Sequence, residues 1–130
     1  MSAFQILKKR KDFLRAAKDI TMVSKNVIVQ AARPLSISQE MPARIGFTAT
    51  KKLGKAHIRN RTKRRLRAVV RDVYNTLALP NVDYVLIGRF GTYSCAYEDL
   101  QHDVKWAFKK VNQQIMQRNS NDPENSAFTD

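Results

Sequence analysis

One cysteine, two histidines and four glycines are all that this 130-residue chain holds of the residue types most enzymes rely on. A lone Cys95 excludes an internal disulfide and a cysteine-cluster zinc site. It fits a reducing compartment, and the expectation is a cytoplasmic protein. His57 and His102 stand in no HxxxH or HxE pattern. The glycines are scattered, so no glycine-rich phosphate loop can be drawn. No apolar run reaches the roughly 18 residues that a membrane span requires. The opening MSAFQILKKRKD carries its charge after its apolar residues and does not read as a secretory signal. The basic half has no close pair of carboxylates for a metal-dependent nuclease, and Asp12 and Asp19 read as solvated charges. No metal site in the protein itself is expected.

Acid is the other scarcity, and it is local. Residues 1–71 hold 19 Lys or Arg against Asp12, Asp19 and Glu40, whereas residues 72–130 hold 5 against 8. The net charge of +13 therefore sits on one half of the chain. The stretch Thr50 to Arg71, TKKLGKAHIRNRTKRRLRAVVR, has no acid at all and ten bases: Lys51, Lys52, Lys55, Arg59, Arg61, Lys63, Arg64, Arg65, Arg67 and Arg71. Such a run repels itself, and a fold that keeps it offers it to a polyanion. Its second half is also periodic. Leu66, Val69, Val70, Val73 and Leu77 make one apolar stripe of a helix, so the charge rides on an element anchored to a core. At 100° per residue, Asn60, Arg64, Arg67 and Arg71 line one flank, and Arg61 and Arg65 line the other. Arginine outnumbers lysine there, and guanidinium forks match phosphates.

The remaining pattern predicts an α+β domain over 1–118 with a disordered tail over 119–130. A short first helix is expected over 5–17, with Phe13 as either a core aromatic or a platform for an unpaired base. Strands are expected near 27–33, with an extended piece before it, then at 44–50 and 83–89. Val85, Leu86 and Ile87 run without alternation, as in a strand covered on both faces. Gly54 should turn the chain into a helix over about 58–78, stopped by Pro80 and Asn81. Residues 91–96 read as a loop. A closing helix over 97–118 carries the stripe Leu100, Val104, Phe108, Val111 and Ile115, with Trp106 off that stripe and partly exposed. The order α-β-β-α-β-α makes a small mixed sheet with packed helices, a two-layer sandwich in which a crossover helix carries Arg59-Asn60-Arg61. From the residues alone, a structural RNA-binding protein such as a ribosomal protein would fit as well.

The order of residues in RIGFTATKKLGKAHIRNRTKRRLRAVVR closely resembles the signature of the bacterial ribonuclease P protein subunit family. That signature is a strand ending in a small hydroxyl residue, two lysines, a glycine turn and Arg-Asn-Arg-x-Lys-Arg-x-x-Arg. Here these are Thr50, Lys51, Lys52, Gly54, Arg59, Asn60, Arg61, Lys63, Arg64 and Arg67. LKKRKDF resembles the family's first helix, and DYVLIGR followed by YEDLQHDVKWAFKK its last strand and helix. The resemblance implies one subunit of a ribonucleoprotein endonuclease that removes the 5′ leader of precursor tRNA. Its partners are then the catalytic RNA and the precursor tRNA, with no membrane and no DNA. The RNA does the hydrolysis and mainly holds the Mg²⁺, and the protein raises affinity for substrate and Mg²⁺. The implied RNA-binding residues are Lys51, Lys52, Arg59, Asn60, Arg61, Lys63, Arg64 and Arg67 of the signature, extended over the basic run by Lys55, Arg65 and Arg71. The leader cleft would hold Phe13 with Lys9 and Arg10. The chain departs from the family in having Ala17 where a second aromatic is common and Ala96 where a Ser or Thr cap is common.

Overall fold

The computed structural model describes residues 4–33 and 40–120. In chain order they form β1 (Gln5–Ile6), α1 (Arg10–Lys18), β2 (Ile20–Val23), β3 (Val27–Ala32), β4 (Arg44–Thr48), a single 3-10 turn (Lys51–Leu53), α2 (Ala56–Leu77), β5 (Asp83–Gly88), α3 (Phe90–Ser94) and α4 (Tyr97–Ser120). The strands join in one mixed sheet, β1-β4-β5-β3-β2. β4 and β5 are parallel neighbours with α2 as their crossover, β1 adds a parallel pair to β4, and β3 is antiparallel to both β5 and β2. This is the expected α+β class with a mixed sheet and packed helices, but the two expected layers are three, because α1 covers one face of the sheet and α2 and α4 the other, and β1 and β2 join the three expected strands.

Alternation along the strands divides the core. Val27, Val29 and Ala31 of β3, and Tyr84 and Leu86 of β5, pack with Leu66, Val69, Val70 and Val73 of α2 and Leu100, Val104, Phe108, Val111 and Ile115 of α4. The opposite face gathers Leu7, Ala16, Ala32 and Val85, with Phe13 and Ile87 against them. β5 is therefore covered on both sides, which explains its unbroken apolar run. The far end of α2 is tied by polar groups. Asn81 takes φ 66°, a turn that asparagine tolerates, and its backbone N–H donates to Met41 O at 2.9 Å. The Tyr84 hydroxyl accepts from Leu79 N at 2.9 Å and donates to Asn112 Oδ1 at 2.7 Å, and Asn112 Nδ2 donates to Leu77 O at 2.6 Å. Burial pushes the Tyr84 hydroxyl well above the ordinary tyrosine range.

Four further expectations are corrected. The first helix starts at Arg10 and not at residue 5, because Gln5 and Ile6 pair with Arg44 and Ile45. A helix begun at residue 5 would crowd Lys8, Lys9, Arg10 and Lys11 into its first turns, at the positive end of its dipole. Asp12 is buried and not solvated: it faces Arg44 at 3.5 Å, and Asp19 faces Arg33 at 3.4 Å. Part of the expected loop 91–96 is helical, α3. The last helix runs to Ser120, and the rest of the expected tail, 121–130, lies outside the described residues.

α2 crosses β5 at a tight point. A methyl added to Gly88 would overlap Thr62 Cγ2, and Thr62 is fully buried with its hydroxyl donating to Ile58 O at 2.8 Å. Gly88→Ala should lower the unfolding free energy by about 1–3 kcal/mol in urea titration. Thr62→Ser removes that methyl and keeps the hydroxyl, so in its background the same substitution should cost clearly less. Equal losses in both backgrounds would show that this contact is not limiting. A pH effect follows at the start of α4. Burial first, then a 2.8 Å hydrogen bond to Asp72 Oδ2, push the Tyr97 hydroxyl up to about 12. A raised acid stabilises the fold while protonated, so this contribution is complete below about pH 10 and is lost as pH rises through about 12. Tyr97→Phe should flatten the fall in stability over that window, measured by urea midpoints at stepped pH.

Candidate nucleic-acid interface

The basic stretch begins where β4 ends. Thr50 is extended, Lys51–Leu53 make the 3-10 turn, Gly54 takes φ 126°, and Lys55 precedes α2. Leu53 is buried and pins the turn, so Lys51, Lys52 and Lys55 face outward. No acid lies in the first turn of α2 and no side chain caps it. The positive end of its dipole therefore adds to the lysines.

Along α2 the stripe divides buried from exposed as the wheel requires. Thr62, Leu66, Val69, Val70 and Val73 are buried; Asn60, Arg61, Arg64, Arg67 and Arg71 are exposed; Arg59 and Lys63 are half-buried. Among the described residues, no carboxylate pairs with any cation between Lys51 and Arg71. Two arginines are oriented by rings instead. Arg67 lies over Phe47 and Arg61 over Tyr93, each 5.6 Å from the ring centroid. Such contacts are worth about 0.5–1 kcal/mol at exposed sites, enough to bias a rotamer while leaving the guanidinium edge free.

Arg65 is the exception among the expected cations, because its guanidinium is engaged by the fold. Its Nη1 donates to Thr92 O and Tyr93 O, both at 2.8 Å, and its Nη2 to Cys95 O at 2.7 Å. The guanidinium clamps α3 and the start of α4 onto α2. The signal was present in the sequence: Arg65 is three residues from Thr62 and four from Val69, so it borders the buried stripe. Beside it, burial pushes the Cys95 thiol up, with only partial relief from Arg65, so the thiol stays protonated at neutral pH.

The opposite face of the sheet is built differently. Phe13 is half-buried, and a Cβ built on Gly46 would sit 2.5 Å from its Cζ, so the ring lies against the bare backbone of β4. Lys9 and Arg10 are exposed at the start of α1. Further along this face the cations are neutralised. Arg44 donates to Asp83 through Nε at 2.8 Å and Nη2 at 2.6 Å, and Arg15 Nη2 reaches the same carboxylate at 2.8 Å. The Asp83 side chain is only 5% exposed. The hydrogen bond to Asp83 is the largest cause raising the Arg44 guanidinium above its ordinary value. An open groove of about 410 Å³ lies beside this knot, lined by Gln5, Met41, Pro42 and Asn81 among others. Among the described residues, no cluster of three or more His, Cys, Asp or Glu is placed to hold a metal ion. No helix among them is long and apolar enough to cross a membrane.

The family model described as Ribonuclease P matches residues 1–112. The chain is 45% identical over 106 residues to the ribonuclease P protein component of Gluconacetobacter diazotrophicus, covering 81% of this chain and 89% of that one. It is 40% identical to that of Ruegeria pomeroyi, covering 85% and 88%. Its fold is similar to that of the solved RNase P protein from Staphylococcus aureus, with a TM-score of 0.67 at 23% identity over 85% of this chain and 96% of that one. The RNase P protein from Thermotoga maritima gives the same TM-score at 22% identity over 82% and 96%.

The contrast between Arg65 and its neighbours is testable by stability alone. Arg65→Ala should lower the unfolding free energy by about 1–3 kcal/mol, since three carbonyls lose their charged donor. Arg64→Ala and Arg71→Ala should stay within about 0.5 kcal/mol of the parent. If Arg65→Ala proved as mild as Arg64→Ala in urea unfolding, the clamp would carry no weight.

Proposed function

The chain belongs to the ribonuclease P protein family, and on that premise we propose that it is the protein subunit of the ribonucleoprotein that removes the 5′ leader of precursor tRNA. The observation that carries this reading is the exposed face of α2 and the turn before it. Its cations lack carboxylate partners among the described residues, while the other side of the helix is locked into the core. Lys51, Lys52, Lys55, Arg59, Asn60, Arg61, Lys63, Arg64, Arg67 and Arg71 grip the phosphates of the catalytic RNA. The leader of the precursor runs along the other face, past Phe13, Lys9 and Arg10. Mg²⁺ is held mainly by RNA phosphates, hard oxygen ligands suited to that ion. The RNA breaks the bond; the protein screens the repulsion between two polyanions and so raises affinity for substrate and for Mg²⁺. The working compartment is the cytoplasm, and neither membrane nor DNA is a partner.

Because binding releases counterions, affinity for the catalytic RNA should fall steeply with salt. Arg64→Ala and Arg67→Ala should each weaken binding and reduce the slope of log affinity against log salt by about one. Filter binding at stepped salt reads both, and an unchanged slope would count against these contacts. Protein stripped of nucleic acid should leave precursor tRNA intact, and adding the catalytic RNA with Mg²⁺ should give cleavage at the leader junction. Trimming by the bare protein would sink the proposal.

A further inference from the structure

We propose that Phe90, together with Tyr93 and Arg61, is a stacking platform for an unpaired base of the catalytic RNA gripped by α2; this rests on the function proposed above. Phe90 is 71% exposed, the most exposed large apolar side chain among the described residues. A single exposed ring is ordinary on a protein surface and would carry nothing alone. Its setting is what carries the inference. Phe90 and Tyr93 are three apart on α3 and so share a face, and Arg61 lies 5.6 Å over the Tyr93 ring. The ring therefore continues the cationic surface of α2.

The helix that shows this ring is held far more firmly than five residues would hold themselves. Arg89 N donates to Thr92 Oγ1 at 2.9 Å, and the same hydroxyl donates to Asn26 O. Gly91 packs so close to Asn26 that a methyl there would overlap its side chain. Asn26 is fixed in turn by Asp103, which accepts from its Nδ2 at 2.9 Å and its N at 3.1 Å. Arg65 clamps the carbonyls of Thr92, Tyr93 and Cys95 from the other side. An exposed aromatic on a rigid mount close to Arg61, which has no carboxylate partner among the described residues, loses little entropy when a base stacks on it. The occupant is the catalytic RNA and not the leader. α3 packs beside α2, whereas Phe13 lies on the opposite face of the sheet.

The test measures affinity of the full chain for its catalytic RNA at stepped salt, for the parent, Phe90→Ala, Phe90→Leu and Phe90→Trp. Base–aromatic stacking predicts a loss of about tenfold for Phe90→Ala and Phe90→Leu, and retention within about twofold for Phe90→Trp. The salt slope should be unchanged in all four, since no charge is removed. Leucine keeps bulk but not the aromatic face, so it separates stacking from packing, and urea midpoints should match the parent because the ring is exposed. Parental affinity in Phe90→Leu overturns the inference. So does a loss confined to leader-dependent affinity of the assembled particle for precursor tRNA. If the parent itself does not bind the catalytic RNA, the proposed function falls as well. A parent that binds with a silent Phe90→Leu overturns this inference alone.

Discussion

The seating of α2 on the sheet is the constraint from which the rest follows. Like charges four apart on a helix cost about 0.2–0.5 kcal/mol each, so the basic run opposes its own helix by a few kcal/mol at most. Burying an aliphatic side chain contributes about 1.5–3 kcal/mol, and Leu66, Val69, Val70 and Val73 are all fully buried. Burial wins, and a self-repelling segment is held as one continuous helix. The close approach of Thr62 to the bare backbone of Gly88 sets how deep the helix lies, Arg65 ties its middle to α3 and the start of α4, and the Tyr84–Asn112 pair holds its C-terminal end.

That helix divides the protein electrically. On the α1 side, Asp83, buried between two strands, takes both Arg15 and Arg44, and Asp12 adds to the same knot. Arg15 and Arg44 are thereby consumed by the fold, whereas Lys9 and Arg10 stay exposed. On the α2 side the cations between Lys51 and Arg71 have no carboxylate partner among the described residues, and two are turned by aromatic faces. The same residue type thus has two roles, decided by whether a carboxylate lies within reach across the sheet. The second set, with Lys9 and Arg10 at the start of α1, is available to a polyanion, and it is the set most exposed to screening by salt.

Much of this was legible in the sequence, where periodicity is long enough to read. The stripes of α2 and α4, the alternation of β4 and the unbroken apolar run of β5 each predicted an element and the face it buries. Gly54, Pro80 and Asn81 marked the turns that bound α2. What was not legible depends on distant partners. β1 is two residues long and exists because β4 lends it hydrogen bonds. α3 is five residues long, too short for a period, and is held by Asn26 and Arg65. Asp12 reads as a surface charge until Arg44 is brought over it. On the wheel Arg65 only borders the buried stripe; that it is a clamp depends on the carbonyls of residues 92, 93 and 95, which the sequence does not place.

The smallest strand has a consequence of its own. β1 shields the outer rim of β4, helped by Phe4, whose ring packs 6.1 Å from Phe47 and 5.4 Å from Tyr74. Clipping the chain ahead of Leu7, by a protease or a misplaced cut in a fusion, would strip that shield. The bared row of peptide groups could then recruit a strand from a neighbouring molecule. Light scattering that grows with concentration would reveal such self-association, well before any loss of helix content. A few residues at the amino end thus guard against clumping in a protein whose positive charge otherwise keeps its copies apart.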